Sequence, residues 1–247
     1  MGGNIYEWDI IIPAQRYVFA VHDGRIVEFN QPLDEASDRF TRYQQIKPTH
    51  PVHGMIAWPN TVLLRGPINV LIDPGMVTQG PPVLLALEQR GIDPDNIDLV
   101  INTHHHVDHT HANVYFSGCT CAIHQIEYEN YAAEFRLGYE PPSMRLLKGR
   151  EGEIAPGLRF LLTPGHTDGS ICVIARVPEG HMIIAGDTVG PLPSYFEHMK
   201  LPKGFPNRDD LMESWGRIHM ERPDIIVPGH NPPVIPSYSP LASQVEA

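Results

Sequence analysis

The sequence predicts an α/β fold in which strands and helices alternate in two comparable halves. Short apolar runs bounded by glycine, proline and polar turn residues are typical of strands, and four of these runs end beside a histidine or an aspartate. Segments with apolar residues at helical spacing separate them. No flexible linker or low-complexity tract divides the chain, so we predict a single domain over residues 1–247.

The N-terminal part of the chain is predicted to be mostly strand. Residues 4–30 predict two strands around a turn at 22–24, since apolar runs flank a His-Asp-Gly sequence. Residues 31–54 are polar and interrupted by proline, which favours a loop or a short helix on the surface. Residues 55–72 return to strand character, and the Arg-Gly-Pro sequence at 65–67 predicts a hairpin turn between two strands.

The central part predicts helices around a buried strand. One helix opens at the proline pair 81–82 and ends near residue 90, because proline suits a helix start and the following glycine its end. The apolar run 97–102 predicts a strand, and a further helix is predicted to begin at His109. Residues 125–148 indicate either a helix packed on the core or a lid that supplies an aromatic wall for substrate. The aromatic residues at helical spacing are Tyr128, Tyr131, Phe135 and Tyr139.

The second half repeats the alternation. Apolar runs at 158–162, 181–185 and 224–227 predict three strands. Residues 190–207 are rich in proline and glycine, which favours a loop over the candidate site. A final amphipathic helix is predicted over 208–221, with one apolar face formed by Leu211, Trp215 and Ile218.

The hexapeptide His-His-His-Val-Asp-His at 104–109 is the strongest functional motif. The pattern His-x-His-x-Asp-His directly follows the strand 97–102 and is filled by His104, His106, Asp108 and His109. Neutral imidazole nitrogens and carboxylate oxygens are ligands that zinc and similar divalent ions prefer. A histidine-rich surface tract with incidental metal affinity is the alternative, but a position at the end of a core strand favours a fixed site.

Three more ligand-type residues stand at strand ends, each beside a glycine: His166, Asp187 and His230. Glycine lets the backbone turn sharply after a strand. Taken alone, each of the three could be an ordinary turn or capping residue. Because strand ends converge on one edge of a sheet, the four clusters together predict a shared metal centre.

These pieces resemble the metallo-β-lactamase fold superfamily. The sequence Leu-Ile-Asp-Pro-Gly at 71–75, the motif 104–109 and the three later ligands occur in the superfamily's usual order, over about residues 55–233. The resemblance implies an αββα sandwich of two mixed β-sheets flanked by helices, with the site at one edge between the sheets. It also implies two divalent metal ions, zinc or else iron, manganese or cobalt. The first would be held by His104, His106 and His166, the second by Asp108, His109 and His230, and Asp187 would bridge them.

Within the superfamily, the ligand set resembles the dinuclear hydrolases, namely glyoxalase II, the acyl-homoserine lactonases and the phosphodiesterases. True β-lactamases usually have cysteine at the position of Asp187 and commonly lack the histidine at position 109. Asp73 resembles the superfamily's acid that supports the ligand loop without touching metal, and an ordinary turn aspartate is the alternative. The helical domain of glyoxalase II and the long insertions of nucleases have no counterpart in this sequence, which favours a small single-domain hydrolase.

The predicted function is hydrolysis of an ester, lactone or thioester bond in a small molecule. Two divalent ions can lower the pKa of a shared water enough to give hydroxide at neutral pH. Asp108 is the candidate catalytic residue, for proton transfer to the leaving group.

Three other functions stay open. A phosphodiesterase or phosphotriesterase of the same fold could use the same hydroxide. A mononuclear iron enzyme resembling persulfide dioxygenases would use only the positions His104, His166 and Asp187. A non-catalytic binding domain is the weakest interpretation, since every ligand position is filled.

Composition limits the kinds of partner that we expect and the cellular location. The formal net charge is −11, with 18 basic and 29 acidic residues, which disfavours nucleic acid because phosphate contacts need lysine and arginine. No apolar stretch predicts a membrane helix, and the N-terminal residues lack the pattern of a secretory signal. The three cysteines do not make a disulfide framework. We therefore expect buried thiols, with Cys119 and Cys121 on one face of a strand, and a cytoplasmic location; a homo-oligomer stays open.

Four polar residues near the motif have roles that the sequence leaves open. His105 is expected to point away from the metals, by the alternation of a strand. His111 stands where many relatives have glycine. Tyr195 and His198, in the loop after Asp187, are candidates to donate a hydrogen bond to an oxyanion. Lactonases use a tyrosine nearer to the bridging aspartate, where this chain has glycine at position 190, so the oxyanion-stabilising residue is not assigned.

Overall fold

The computed structural model describes residues 5–22, 25–29, 53–135, 143–189, 196–201 and 206–239. Within them, two β-sheets stack face to face and helices cover the outer faces. The strands are β1 (Glu7–Ile12), β2 (Gln15–His22), β3 (Arg25–Phe29), β4 (His53–Trp58), β5 (Thr61–Arg65), β6 (Asn69–Ile72), β7 (Leu99–Ile101), β8 (Thr120–His124), β9 (Met144–Leu147), β10 (Glu151–Ala155), β11 (Leu158–Leu162), β12 (Ile171–Val177), β13 (Gly180–Gly186) and β14 (Ile225–Pro228). The α-helices are α1 (Gly80–Glu88), α2 (Val107–Thr110), α3 (Gln125–Phe135) and α4 (Arg208–Met220).

The first sheet has the strand order β1-β5-β6-β7-β8-β9. Its first three strands are antiparallel, and β6 to β9 are parallel. The three residues of β7 are all apolar and buried, as expected for a parallel strand covered on both faces. Ile72 of β6 lies beside Ile101 of β7 in this parallel pair. The segments that follow these two residues, Asp73 and the histidine motif, therefore leave the sheet at the same edge.

The second sheet has the strand order β10-β11-β12-β13-β14. Strands β10 to β13 are antiparallel, and β14 is parallel to β13. Since β11, β13 and β14 run in the same direction, their carboxyl ends share one edge. Gly186 pairs with Pro228 there, so the turns that carry Asp187 and His230 are neighbours.

Three apolar layers hold the sandwich together. The layer between the sheets takes residues from both, including Leu64 and Ile101 from the first and Phe160 and Ile184 from the second. A second layer packs α1 on the outer face of the first sheet, through Val83 and Leu87. A third packs α4 on the outer face of the second sheet, through Leu211, Trp215 and Ile218. The prediction of an αββα sandwich of two mixed sheets is confirmed.

The N-terminal strands differ from the prediction in their number. Residues 4–30 contain three strands instead of two, because the chain breaks between β1 and β2 at Pro13, which has no N–H to continue a sheet ladder. Strand β2 pairs with β3 and β4 in a separate three-stranded sheet. Most of the predicted turn at 22–24 and of the loop 31–54 lies outside the described residues, and β4 begins at His53.

The helices agree with the prediction except near the motif. Proline stands in the first turn of α1, and Gly91, shortly after its end, has a φ of +69°. The helix predicted to begin at His109 begins at Val107, has four residues and is followed by a 3₁₀ helix over 111–116. Helix α4 buries Leu211, Trp215 and Ile218 as predicted. Tyr139 and the side chains of 131–135 lie outside the described residues, as does most of the loop 190–207, so the core and lid alternatives for 125–148 stay open.

All three cysteines are buried and free, as expected. The placement of Cys119 on a strand was wrong, because it precedes β8, where its thiol donates to the carbonyl oxygen of Phe116 at 3.2 Å. Only Cys121 lies on the strand. In the described part of the chain, no helix is long and apolar enough to cross a membrane.

Candidate metal centre

The ligand-type residues stand on loops that leave the two sheets at a common edge. The motif 104–109 follows β7, and the later residues follow β11, β13 and β14 in turn. Two glycines fit their loops closely. A Cβ at Gly229 would overlap Asp187 Oδ1, and a Cβ at Gly165 would lie 2.7 Å from the backbone of Leu211 in α4. The loops that carry His166 and His230 therefore pack at distances that only glycine allows.

A first group of nitrogen atoms converges between the motif and the β11 loop. His106 Nδ1 lies 3.0 Å from His104 Nε2 and 3.0 Å from His166 Nε2. These three atoms all lie within 4.8 Å of one another, which is close enough to share an ion. Three imidazoles are a donor set that zinc, iron and cobalt accept.

A second group converges beside the first. Asp108 Oδ2 lies 3.1 Å from His230 Nε2, and His109 Nε2 lies 3.3 Å from the same nitrogen. Here too the candidate ligand atoms lie within 4.8 Å of one another. His109 and His230 are buried, whereas the side chain of Asp108 keeps 22% of its surface exposed. This group therefore has one side open to solvent.

Asp187 lies between the two groups. Its Oδ2 is 3.5 Å from His166 Nε2 of the first group and 3.6 Å from His230 Nε2 of the second, and its Oδ1 is 3.5 Å from His109 Nε2. Oδ1 is buried and makes no hydrogen bond to any described residue. A buried carboxylate oxygen without a hydrogen bond is costly unless a cation binds it. This oxygen fits a metal ligand.

The charges of the site also fit a divalent cation. Burial lowers the pKa of His104 well below its usual value and lowers that of His106 to about 4, so both rings are neutral at pH 7. Burial would raise the pKa of Asp187, but His230 and His109 outweigh it, and the pKa falls well below the usual range. Neutral imidazole and ionised carboxylate are the forms that bind metal.

His109 indicates a local excess of negative charge. Burial lowers its pKa, but the carboxylates of Asp73 and Asp187 outweigh burial and raise the pKa to about 9. In the absence of metal, these carboxylates therefore hold a proton on the ring. A metal cation can supply the positive charge instead and release that proton.

Hydrogen bonds orient three of the rings. His109 Nδ1 donates to Asp73 Oδ2 at 2.8 Å, and His230 Nδ1 donates to the carbonyl oxygen of Trp58 at 3.3 Å, since both oxygens only accept. Thr103 Oγ1 gives its hydrogen to Asp73 and lies 3.1 Å from His104 Nδ1, from which it can accept. In the neutral form of each ring, which is the form that binds metal, the bond at Nδ1 leaves the lone pair on Nε2, which faces the site.

Asp73 connects both groups, whereas its resemblance to the supporting acid of the superfamily implied only that it supports the ligand loop. Its Oδ1 accepts from the backbone N–H of Thr103 at 2.8 Å, and its Oδ2 accepts from Thr103 Oγ1 at 2.7 Å and from His109. The residue is 2% exposed and has a φ of +49°. An unusual backbone conformation of this kind is kept only where the surroundings fix it. Asp73 is therefore more than an ordinary turn residue.

Sequence reasoning overlooked two buried polar side chains beside the site, Asn60 and Glu127. Both bind backbone groups of the ligand loops, and neither belongs to a recognisable motif. His105 is not on a strand, so alternation was the wrong argument for its orientation. Its ring nitrogen Nδ1 lies 2.5 Å from Glu127 Oε2. His198 is exposed, and Tyr195 lies outside the described residues, so the oxyanion donor stays unassigned.

Comparison with known proteins places the chain in a family. A sequence model of the metallo-beta-lactamase superfamily matches residues 59–230, which is more than half of the chain and contains every candidate ligand. A protein of Methanocaldococcus jannaschii named a "probable metallo-hydrolase" is 35% identical over 144 residues, 53% of this chain and 66% of its own length. An N-acyl homoserine lactonase of Bacillus cereus is 27% identical over 114 residues, 44% of each protein.

A solved structure supports the fold. The crystal structure of a quorum-quenching N-acyl homoserine lactone hydrolase has a TM-score of 0.62 to this chain and covers 93% of each chain, at 21% sequence identity. At that identity the likeness concerns the arrangement of strands and helices. The two stacked sheets and their flanking helices are therefore arranged as in a known fold.

Proposed function

The chain belongs to the metallo-beta-lactamase superfamily, and we propose that it is a hydrolase that cleaves ester, lactone or thioester bonds with a pair of divalent metal ions. The observation that carries this proposal is the position of Asp187, whose carboxylate lies within 3.6 Å of ring nitrogens in both ligand groups. The similarity to N-acyl homoserine lactonases supports the lactone member of this substrate class.

The proposed ligands divide into two sets that share Asp187. The first metal would be held by His104, His106 and His166, and the second by Asp108, His109 and His230. Zinc is the first candidate, since it takes imidazole and carboxylate ligands, and iron, manganese and cobalt accept the same donors. When bound, such a pair would supply hydroxide at neutral pH and polarise the carbonyl group next to the bond that is cleaved.

The chain's own residues would orient the ligands and move the proton. Asp73, Thr103 and the carbonyl oxygen of Trp58 hold three imidazoles with Nε2 directed at the site. Burial would raise the pKa of Asp108, but its hydrogen bond with His230 and the nearby His109 lower it, so the group is ionised. We propose that this carboxylate accepts a proton and passes it to the leaving group, because it is 22% exposed and also lies 3.1 Å from His230 Nε2 in the site.

The charge and length of the chain bear on its substrate class and its domain organisation. The net charge of −11 supports a small-molecule substrate over a nucleic acid. We also propose that residues 1–247 form one domain. The cytoplasmic location stays a prediction, and a homo-oligomer is neither required nor opposed by the site.

A substrate panel tests the reaction. We expect the purified protein to hydrolyse p-nitrophenyl esters, lactones or thioesters equally fast with and without oxygen, because hydrolysis consumes only water. Cleavage of bis-p-nitrophenyl phosphate well above the ester rate would replace the proposal with a phosphodiesterase. Oxygen consumption with a persulfide, without ester cleavage, would replace it with an iron dioxygenase.

Metal content tests the centre itself. Protein purified without added metal or chelator is expected to contain two equivalents of zinc, iron or manganese by elemental analysis. Removing the metal with a chelator should abolish hydrolysis, and adding it back at 100 times its Kd should stabilise the fold by about 2.7 kcal/mol for each ion bound, measured as a rise in Tm. A single iron, with no second ion taken up on titration, would contradict the dinuclear proposal.

A further inference from the structure

We infer that Glu127 and Asn60 are positioning residues for the two halves of the metal centre, Glu127 for the half with His104, His106 and His166, and Asn60 for the half with Asp108, His109 and His230. The inference rests on the proposed dinuclear site and adds to it how the two halves are held. Neither side chain is a candidate ligand. Each acts through the backbone of the loops that carry the ligands.

Glu127 joins the two loops of the first half. It stands on α3, is fully buried, and uses both carboxylate oxygens. Oε2 accepts from the backbone N–H of His105 at 2.9 Å and faces the ring of the same residue, which lies between the ligands His104 and His106. Oε1 accepts from the backbone N–H of Gly169 at 2.7 Å, in the loop that carries His166. One side chain therefore fixes the distance between the loops.

The contacts of Glu127 require a carboxylate in close packing. Burial would raise its pKa, but hydrogen bonds from His105 and Thr167 outweigh burial and lower it, so the side chain is ionised and accepts at both oxygens. A Cβ at Gly169 would lie 2.7 Å from the backbone nitrogen of Glu127. A larger residue at 169, or a donor group at 127, would push the two loops apart.

Asn60 holds the loop of the second half. Its Nδ2 donates to the carbonyl oxygens of Pro228 and Asn231, each at 2.7 Å, and these two residues flank His230. Its backbone N–H donates to the carbonyl oxygen of Gly229 at 2.6 Å. Its Oδ1 accepts from the backbone N–H of Ala14 at 2.7 Å, which ties the loop to the break between β1 and β2. The side chain is 4% exposed.

The two supports have separate partners. The hydrogen bonds of Glu127 reach the loops around 105 and 167–169, and those of Asn60 reach residue 14 and the loop 228–231. Asp73 differs from both, since it reaches His109 of the second half directly and His104 of the first half through Thr103. Loss of Glu127 or Asn60 should therefore weaken one half, and loss of Asp73 should weaken both.

The experiment titrates Co²⁺ into the metal-free protein of residues 1–247 and follows the visible absorption of each bound ion. The variants His166→Ala and His230→Ala provide reference spectra for loss of the first and second half. Glu127→Gln keeps the shape but has one acceptor oxygen in place of two, and Asn60→Ala removes the donors to the loop. Exposed residues of the same types give the matched controls, Glu129→Gln and Asn96→Ala.

We expect E127Q to lower Co²⁺ affinity 10–100-fold for the ion missing in H166A, and N60A to do the same for the ion missing in H230A. D73N should weaken both ions, and the two controls neither. Wild-type binding of two ions with unchanged or uniformly weakened spectra in E127Q and N60A would overturn the inference while leaving the proposed function intact. Wild-type binding of fewer than two ions would overturn the proposed function, and this inference with it.

Thermal unfolding of the metal-free variants separates positioning from folding. A selective loss of one ion with a Tm close to that of the matched control supports positioning. Should N60A not fold, Asn60→Ser keeps one donor to the loop and should show a smaller loss of the same ion. Should E127Q not fold, Gly169→Ala disturbs the same contact from the other side, and it should also affect the ion missing in H166A. In either replacement, an equal effect on both ions would overturn the inference.

Discussion

Replacing Asp187 with asparagine is expected to lower kcat/KM for the ester or lactone substrate by more than about 100-fold, which exceeds the effect typical of a lost supporting partner. The reason is its position between the two ligand groups, within 3.6 Å of a nitrogen in each. The buried Oδ1 makes no hydrogen bond to a described residue, so its lone pairs are available to a cation. An amide at this position keeps the shape but removes a negative charge that the two metals of the proposed centre would share.

The measurement is metal content by elemental analysis together with steady-state kinetics for D187N. We expect fewer than two ions per chain and a loss carried mainly by kcat, since the bond-cleaving chemistry needs both ions. Asp209→Asn is the matched control, because the side chain of Asp209 is 97% exposed on α4. Retention of two ions and of wild-type kcat in D187N would remove Asp187 from the proposed centre.

The sequence predicted the elements and candidate ligands whose evidence lies in residue type and local order. Apolar runs such as Leu99-Val100-Ile101 predict buried strands without tertiary information. The histidine motif predicts metal binding from its residue types and their spacing alone. Strand ends then bring His166, Asp187 and His230 together by topology. Pro13 ends β1, but the apolar residues on both sides of it favour a single unbroken strand when the sequence is read alone.

The supporting residues could not be predicted in the same way. Asn60 and Glu127 bind backbone N–H and C=O groups, which every residue carries, so their partners leave no pattern of residue types. The carbonyl oxygens that Asn60 binds are 168 and 171 residues away in the chain. The pair of His105 and Glu127 joins two residue types that commonly interact. However, the loop conformation that directs the His105 ring at Glu127 comes from packing and not from strand alternation.

Replacing Asp108 with asparagine is expected to separate the proposed hydrolase from the one-iron oxygenase. The predicted ligands of an oxygenase are His104, His166 and Asp187, and Asp108 Oδ2 instead lies 3.1 Å from His230 Nε2 in the other group. In a two-metal hydrolase, D108N should lower kcat about 10²–10⁴-fold, because proton transfer and one ligand of the second ion are lost together. In an oxygenase, the iron content and the rate should change little.

The two effects of D108N in a hydrolase can be measured apart. Proton transfer to the leaving group matters most for a poor leaving group, so an alkyl ester should lose more rate than a p-nitrophenyl ester, whose phenolate departs without help. Loss of the second ion alone would slow both esters by the same factor and would be reversed by raising the metal concentration. A larger loss for the alkyl ester at saturating metal would therefore assign the proton to Asp108, whereas equal, metal-reversible losses would leave Asp108 with a ligand role only.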